Sequence, residues 1–297
     1  MRFLHLSDLH LGKRVCEFSM LDDQRYILEQ ILSLLDSRPV DAVLLAGDLY
    51  DKPVPPAEAV RLLDWFLTEL SRRELPVFAI SGNHDSADRV AFGSALLAES
   101  RVYVSPVFSG PPEPITLTDA HGPVDLYLLP FLKPAMVRHV WPDVPIESYN
   151  DALACVLDHC SPDPARRSVL VAHQFVTGAD RSDSEETWVG GLDNVSAEVF
   201  KDFDYVALGH IHSPQNVGSE HIRYCGTTFE IFFFRGRTAE ICDSCGAFGK
   251  RKSQDQGDSA EASSGYAKTE RHIHGDHITV QLSGHKHRGL CADHADR

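Results

Sequence analysis

Phe3-Leu4-His5-Leu6-Ser7-Asp8-Leu9-His10 opens the chain with a short apolar run and then, at once, an Asp-x-His pair. The run reads as a buried strand. The pair, two residues apart on the loop that follows, can turn a carboxylate and an imidazole towards one point. The arrangement recurs along the sequence: Gly47-Asp48 follows the run Ala42–Ala46, and Gly82-Asn83-His84-Asp85 follows Val77–Ile80 and one serine. His173 follows Ser168–Ala172, and Gly209-His210-Ile211-His212 follows Tyr205–Leu208. Rigid strands that each end on a metal-ligating residue are the layout expected of a shared site for two metal ions.

Between these strands the apolar spacing changes to that of helices. Met20–Asp36 puts Ile27, Leu28, Ile31, Leu32 and Leu35 on one stripe. Pro55 and Pro56 suit a helix start, and Val60, Leu63, Leu67 and Leu70 continue its apolar face. A further helix is expected over Arg89–Glu99. Strand–helix alternation of this kind predicts parallel strands with crossover helices. The middle reads as short strands at Val102–Val104, Ile115–Leu117 and Asp125–Leu129, then a helix over Tyr149–His159. His221–Cys225 reads as the second arm of a hairpin. Periodicity alone supports an α/β fold with a mixed sheet.

A chain of 297 residues can bury a sizeable core. No apolar run is long enough to span a bilayer, and the opening run is too short for a signal-peptide core. Seven scattered cysteines form no disulfide framework. A mature amino terminus and a cytoplasmic location are the expectation. The net charge of −15 argues against a free-standing nucleic-acid binder. Two divalent ions would add about four positive charges locally, and a partner protein could supply further phosphate contacts.

Phosphodiester hydrolysis needs a hydroxide at neutral pH and stabilisation of negative charge on the phosphoryl oxygens. Two metals roughly 3.5–4 Å apart provide both. Asp48 is the candidate bridge, with Gly47 allowing close backbone approach. Asp8 and His10 can face one ion, Asn83 offers a neutral amide oxygen, and His173, His210 and His212 supply imidazoles suited to transition metals. Each motif alone reads as a turn, a satisfied polar residue or a surface feature. Five of them at strand ends, in one order, favour the di-metal site. His84, beside Asn83, is the candidate general acid or transition-state cation. Asp85 is read either as its orienting carboxylate or as a turn residue.

These stretches, with Ala46-Gly47-Asp48-Leu49-Tyr50-Asp51, Val171-Ala172-His173-Gln174 and the Asp-x-His-Leu-Gly opening, resemble the calcineurin-like metallophosphoesterases, and within them the SbcD-type nuclease subunits. The resemblance covers roughly residues 1–226. It implies a four-layer α/β/β/α sandwich and a Mn²⁺-dependent DNA nuclease, with 3′→5′ exonuclease action on duplexes and endonuclease action on hairpins. It also implies a partner, an SbcC-type coiled-coil ATPase, in a heterotetramer serving DNA recombination, replication and repair. By motif position, Asp8, His10, Asp48 and His212 would hold one ion. Asp48, Asn83, His173 and His210 would hold the other. Small-molecule phosphodiesterases and protein phosphatases share the scaffold. Gly47-Asp48-Leu49-Tyr50-Asp51-Lys52 half matches the phosphatase Gly-Asp-x-x-Asp-Arg-Gly, but Lys52-Pro53 breaks the pattern and Asp85 stands where phosphatases carry glutamate. A non-catalytic remnant is a third reading.

The resemblance stops near residue 227. Tyr224-Cys225-Gly226-Thr227 fits the family, but the run Phe229–Arg237 does not. One permitted coding of the family's Leu-Lys-Tyr-Ser-Phe-Ser-Glu-Ala, read one T earlier, yields Phe-Glu-Ile-Phe-Phe-Phe-Arg-Gly, which is the observed run. A shifted reading frame and an aberrant, low-order segment over 227–297 in place of the family's cap region are therefore expected. Sequencing of the gene tests this. Phe229–Phe234 would then be an exposed sticky run, and Lys250–Ser264 disordered. Cys242-x-x-Cys245 with the histidines from His272 onward lacks the ordered spacing of a zinc module.

Overall fold

A computed structural model describes residues 1–15, 17–180, 194–226, 230–235 and 280–281. The first half runs β1 (Arg2–Leu6), a small hairpin of β2 (Arg14–Val15) and β3 (Phe18–Ser19), α1 (Leu21–Ser37), β4 (Ala42–Ala46), α2 (Ala57–Arg72), β5 (Val77–Ile80), α3 (Ala87–Val90), α4 (Ser94–Glu99) and β6 (Val102–Val104). The second half adds β7 (Ile115–Asp119), β8 (Gly122–Leu128), α5 (Pro134–Val140), α6 (Tyr149–Cys160), β9 (Arg167–His173), a 3₁₀ turn at Ala197–Phe200, β10 (Tyr205–Gly209), β11 (Gln215–Val217) and β12 (Ser219–Tyr224). Backbone strands β13 (Glu230–Arg235) and β14 (Val280–Gln281) follow.

Two six-stranded sheets result, ordered β14-β13-β1-β4-β5-β6 and β11-β12-β10-β9-β8-β7. Strands β1, β4, β5 and β6 are parallel neighbours, as are β8, β9, β10 and β12. Alternation along each strand divides its side chains between two cores. In β4, Val43 and Leu45 face the helices α1 and α2, whereas Ala42, Leu44 and Ala46 face the opposite sheet. In β9, Leu170 and Ala172 pack towards α6, and Val169 and Val171 meet the first sheet. Three cores separate four layers, which is the α/β/β/α sandwich. Because both faces of these strands are buried, they read as near-continuous apolar runs.

Phe78 sits in the inter-sheet core, fully buried and stacked on Tyr103 with ring centroids 5.1 Å apart. Phe78→Ala is expected to lower unfolding free energy by about 3–5 kcal/mol, measured by denaturant titration. A loss under about 1 kcal/mol would contradict close inter-sheet packing.

The helix expected over Arg89–Glu99 is instead two short ones, because Gly93 takes a left-handed conformation (φ 73°) between them. Helix α5 and the β2–β3 hairpin were not anticipated. Both are too short to show a sustained period. Beyond Gly226, part of the segment expected to be irregular is paired backbone: Arg2 to His5 of β1 align antiparallel with Arg235 to Phe232 of β13. Cys242, Cys245, the histidines from His272 onward and Lys250–Ser264 lie outside the described residues. Among the described residues, no helix is long and apolar enough to cross a membrane.

Candidate metal centre

The parallel strands of both sheets end at one edge. Leu6 of β1 is level with Leu45, Ala46 of β4 with Ile80, and Gly209 of β10 with His173. The loops leaving these ends meet across the seam between the sheets. Hydrogen bonds lock them. The Asp8 N–H donates to Gly47 O (3.1 Å), His10 N–H to Asp48 O (2.9 Å), and His210 N–H to both carboxylate oxygens of Asp8 (3.2 Å). Gly47 has φ 86°, and a Cβ there would strike the His173 ring. A Cβ at Gly209 would strike the Ala46 carbonyl and the same ring. Both positions need glycine for the sheets to close over the site.

All seven expected metal ligands converge. His10 Nε2 lies 3.9 Å from Asp8 Oδ1, 3.8 Å from Asp48 Oδ2 and 3.2 Å from His212 Nε2. His212 Nε2 is 3.7 Å from Asp8 Oδ1. On the other side, His173 Nε2 lies 3.3 Å from Asp48 Oδ2 and 2.9 Å from Asn83 Oδ1, and His210 Nδ1 lies 2.8 Å from Asn83 Oδ1. Asp48 therefore reaches both groups, as a bridge requires. Asp8, His10, Asp48 and His173 are buried, and Asn83, His84, His210 and His212 are half-buried.

This donor set fits divalent ions. His10 and His212 aim ring nitrogens at each other, a contact that needs a shared proton or a cation between them. His173 donates its Nδ1–H to Ala46 O (2.8 Å), which leaves Nε2 as the nitrogen able to ligate a metal. That Nε2 faces only acceptors, so it must carry a proton or meet a metal. Carboxylate, imidazole and amide oxygen together suit first-row transition metals.

Four of these residues, Asp8 (φ 54°), His10 (φ 42°), Asp48 (φ 49°) and His210 (φ 98°), have left-handed backbones. Such conformations cost of order 1–3 kcal/mol each for non-glycine residues and persist only where the surroundings enforce them. Gln24 is one enforcer. From α1 it donates to Leu9 O (3.2 Å) and His10 O (2.7 Å) and accepts from Gly12 N–H (3.0 Å).

The electrostatics follow from crowding without water. Burial drives the Asp8 carboxyl up to about 7, with the charge on Asp48 adding to it and His173 opposing. Burial weighs on His173, yet Asp48 and Asp8 beside it raise its value to about 9. Against burial, His173 first, then His10 and His84, hold Asp48 well below the usual carboxylate range. Burial lowers His10 to about 3, aided by His212 and His84. Without metal, Asp48 and Asp8 thus favour a proton on His173. Metal and proton compete for its Nε2. Divalent-metal affinity is expected to rise with pH, by up to about tenfold per unit for each proton displaced, and to flatten near pH 9. Calorimetry in buffers of different ionisation enthalpy should show proton release at neutral pH. Affinity independent of pH would contradict the competition.

His84 stands at the rim. Its Nδ1–H donates to Asp51 O (3.0 Å), its backbone N–H donates to Asp48 Oδ1 (2.9 Å), and Nε2 lies 4.0 Å from Asp48 Oδ2. Asp85 does not orient it. The Asp85 carboxylate instead accepts backbone N–H groups from Leu49 (3.0 Å), Tyr50 (2.9 Å) and Gly82 (2.9 Å). It is the turn residue of the two readings, tying the Asp48 loop to the Asn83 loop. Burial and the Asp48 charge raise it to about 6 despite those donors.

Three contributors escaped the sequence reading. Asp51 holds His84, and its own Oδ1 is 3.9 Å from His10 Nδ1. Phe131 stacks its ring against His210, with centroids 6.4 Å apart. Gln24 could have been found as a polar residue on the apolar stripe of α1.

The sequence profile of the calcineurin-like phosphoesterases matches residues 1–214. Among curated proteins, SbcD of Staphylococcus epidermidis, a component of the nuclease SbcCD, is 33% identical over 237 residues, and its counterpart in Staphylococcus saprophyticus is 32% identical over the same length. Each alignment takes in 78% of this chain and 62% of the relative, so the chain spans under two thirds of the length of these relatives. Among solved structures, TT1561 of Thermus thermophilus aligns over 81% of this chain and 96% of its own, with 14% identity and a TM-score of 0.49.

Proposed function

The chain belongs to the calcineurin-like phosphoesterase family, and from that premise we propose that it is the metal-dependent nuclease subunit of an SbcCD-type complex. It hydrolyses DNA phosphodiester bonds, trimming duplex ends 3′→5′ and opening hairpins. Its partner is a coiled-coil ATPase of SbcC type, in an assembly with two copies of each chain. The observation that carries this reading is the convergence of seven candidate metal donors at one seam, in a chain similar to proteins named as nuclease subunits. The chemistry lies within residues 1–226, where all seven donors and His84 stand.

Two Mn²⁺ ions, one held by Asp8, His10, Asp48 and His212 and one by Asp48, Asn83, His173 and His210, would supply a hydroxide at neutral pH and neutralise phosphoryl charge. The protein's part is to fix the donors before substrate arrives. Ala46 O sets the tautomer of His173, and Asp8 accepts the His210 N–H. Asp51 O holds the Nδ1–H of His84, so Nε2 is free to carry a proton to the departing 3′ or 5′ oxygen. With a net charge of −15, this chain has little to attract DNA at long range. Much of the grip on DNA therefore belongs to the partner.

The test is hydrolysis by the purified chain, with and without the ATPase, of hairpin and blunt duplex DNA, a cyclic nucleotide and a phosphopeptide. Manganese-dependent release of nucleotides from DNA is the expected result. Turnover of the cyclic nucleotide or phosphopeptide alone would replace the nuclease reading with another phosphoesterase activity. No turnover of any substrate would reject both.

A further inference from the structure

Resting on the di-metal reading of the site, we infer that Ser7 is a positioning residue for the Asp8 carboxylate, and that the Cys225 thiol in turn aims the Ser7 hydroxyl. The two oxygens of Asp8 have different surroundings. Oδ1 lies 3.9 Å from His10 Nε2 and 3.7 Å from His212 Nε2, on the side of the candidate ion. Oδ2 accepts the hydroxyl proton of Ser7. The His210 N–H reaches both oxygens equally and so cannot tell them apart. Only the Ser7 bond divides their roles. A carboxylate pinned by one oxygen offers the other to a cation at a fixed angle. Without the hydroxyl it could turn about its Cβ–Cγ bond.

The fold brings the third member from far along the chain. Ser7 follows β1 and Cys225 follows β12, 218 positions later, yet Sγ lies 3.0 Å from Ser7 Oγ and both residues are buried. A serine hydroxyl has one proton to give. Two acceptors compete for it here, the Asp8 carboxylate and the Gly226 carbonyl at 3.1 Å. The charged acceptor makes the stronger bond. With its proton on Asp8, the Ser7 oxygen presents only lone pairs to Cys225, so the thiol is the donor of that contact. A donor entering the oxygen polarises it and strengthens the bond it gives onward. The result is a buried chain in which Cys225 S–H donates to Ser7, and Ser7 O–H donates to Asp8.

The experiment is manganese titration of the full chain without DNA, read by calorimetry and by the electron spin resonance signal of free Mn²⁺. Wild type is compared with Ser7→Ala, Cys225→Ala and Cys225→Ser. Ser7→Ala is expected to weaken the ion held with His10 and His212 by about 10–100-fold, leaving the ion at Asn83 and His173 within about twofold. Cys225→Ala should weaken the same ion by less, and Cys225→Ser, which puts a donor back in that place, should restore it. Wild-type affinity for both ions in Ser7→Ala overturns the inference and leaves the nuclease reading standing. So does equal weakening of both ions together with a lower melting temperature of the metal-free protein, which marks a merely structural hydrogen bond. Cys225→Ser as weak as Cys225→Ala overturns the part given to the thiol. Wild type that takes up no manganese overturns the reading of the site and this inference with it.

Discussion

Asp48→Asn is expected to empty both metal positions and to lower phosphodiester hydrolysis by at least about 10³-fold. Asp48 lies against both donor groups, with Oδ2 3.8 Å from His10 and 3.3 Å from His173. Asparagine keeps the shape and tolerates the left-handed backbone found there (φ 49°), so the fold should survive while the bridging charge is lost. A Lewis-acidic ion contributes several kcal/mol of transition-state stabilisation, and each 1.36 kcal/mol is about a factor of ten in rate. Metal content by elemental analysis and turnover on hairpin DNA should fall together. A variant that retains two ions and most of its rate would remove Asp48 from the bridging role.

His84→Ala should separate chemistry from metal binding. Both ions are expected to remain, because His84 is outside the donor set proposed for either. Turnover should fall by about 10²–10⁴-fold, the usual worth of a general acid. The loss should shrink for a nitrophenyl phosphodiester, whose leaving group departs without a proton. Equal losses on both substrates would show that His84 acts as a cation on the phosphoryl oxygens instead. Undiminished turnover on DNA would exclude it from either role.

The convergence of these candidate donors was legible in the sequence because they sit at the ends of strongly apolar strands, where chain position fixes spatial position. Periodicity alone could not place the second sheet on the first. That depends on side chains such as Phe3, Phe78 and Val171 meeting across the seam, and the family resemblance supplied the arrangement. The histidines show where reading by type fails. His5 stands five residues before His10, yet its ring lies wholly between the sheets against the Tyr205 hydroxyl at 3.3 Å, and burial lowers it to about 3. Only its place within β1 rather than on the loop distinguishes it. Asp85 and Asp51 could not be sorted for a similar reason. Both follow candidate ligands by two or three residues, and only the folded loops reveal that Asp85 ties backbone groups while Asp51 reaches the two rings. The helix broken at Gly93 was missed because one glycine inside an apolar pattern does not announce a left-handed turn.

The pairing of His10 with His212 joins residues 202 positions apart. A ribosome delivers them in order, so the amino-terminal donors emerge long before their counterparts. Until His212 clears the exit tunnel and β10 docks, the His10 ring has no partner ring facing it, and the two halves of the candidate cradle cannot meet. A chain halted anywhere before residue 212 would lack a donor that the proposed centre needs.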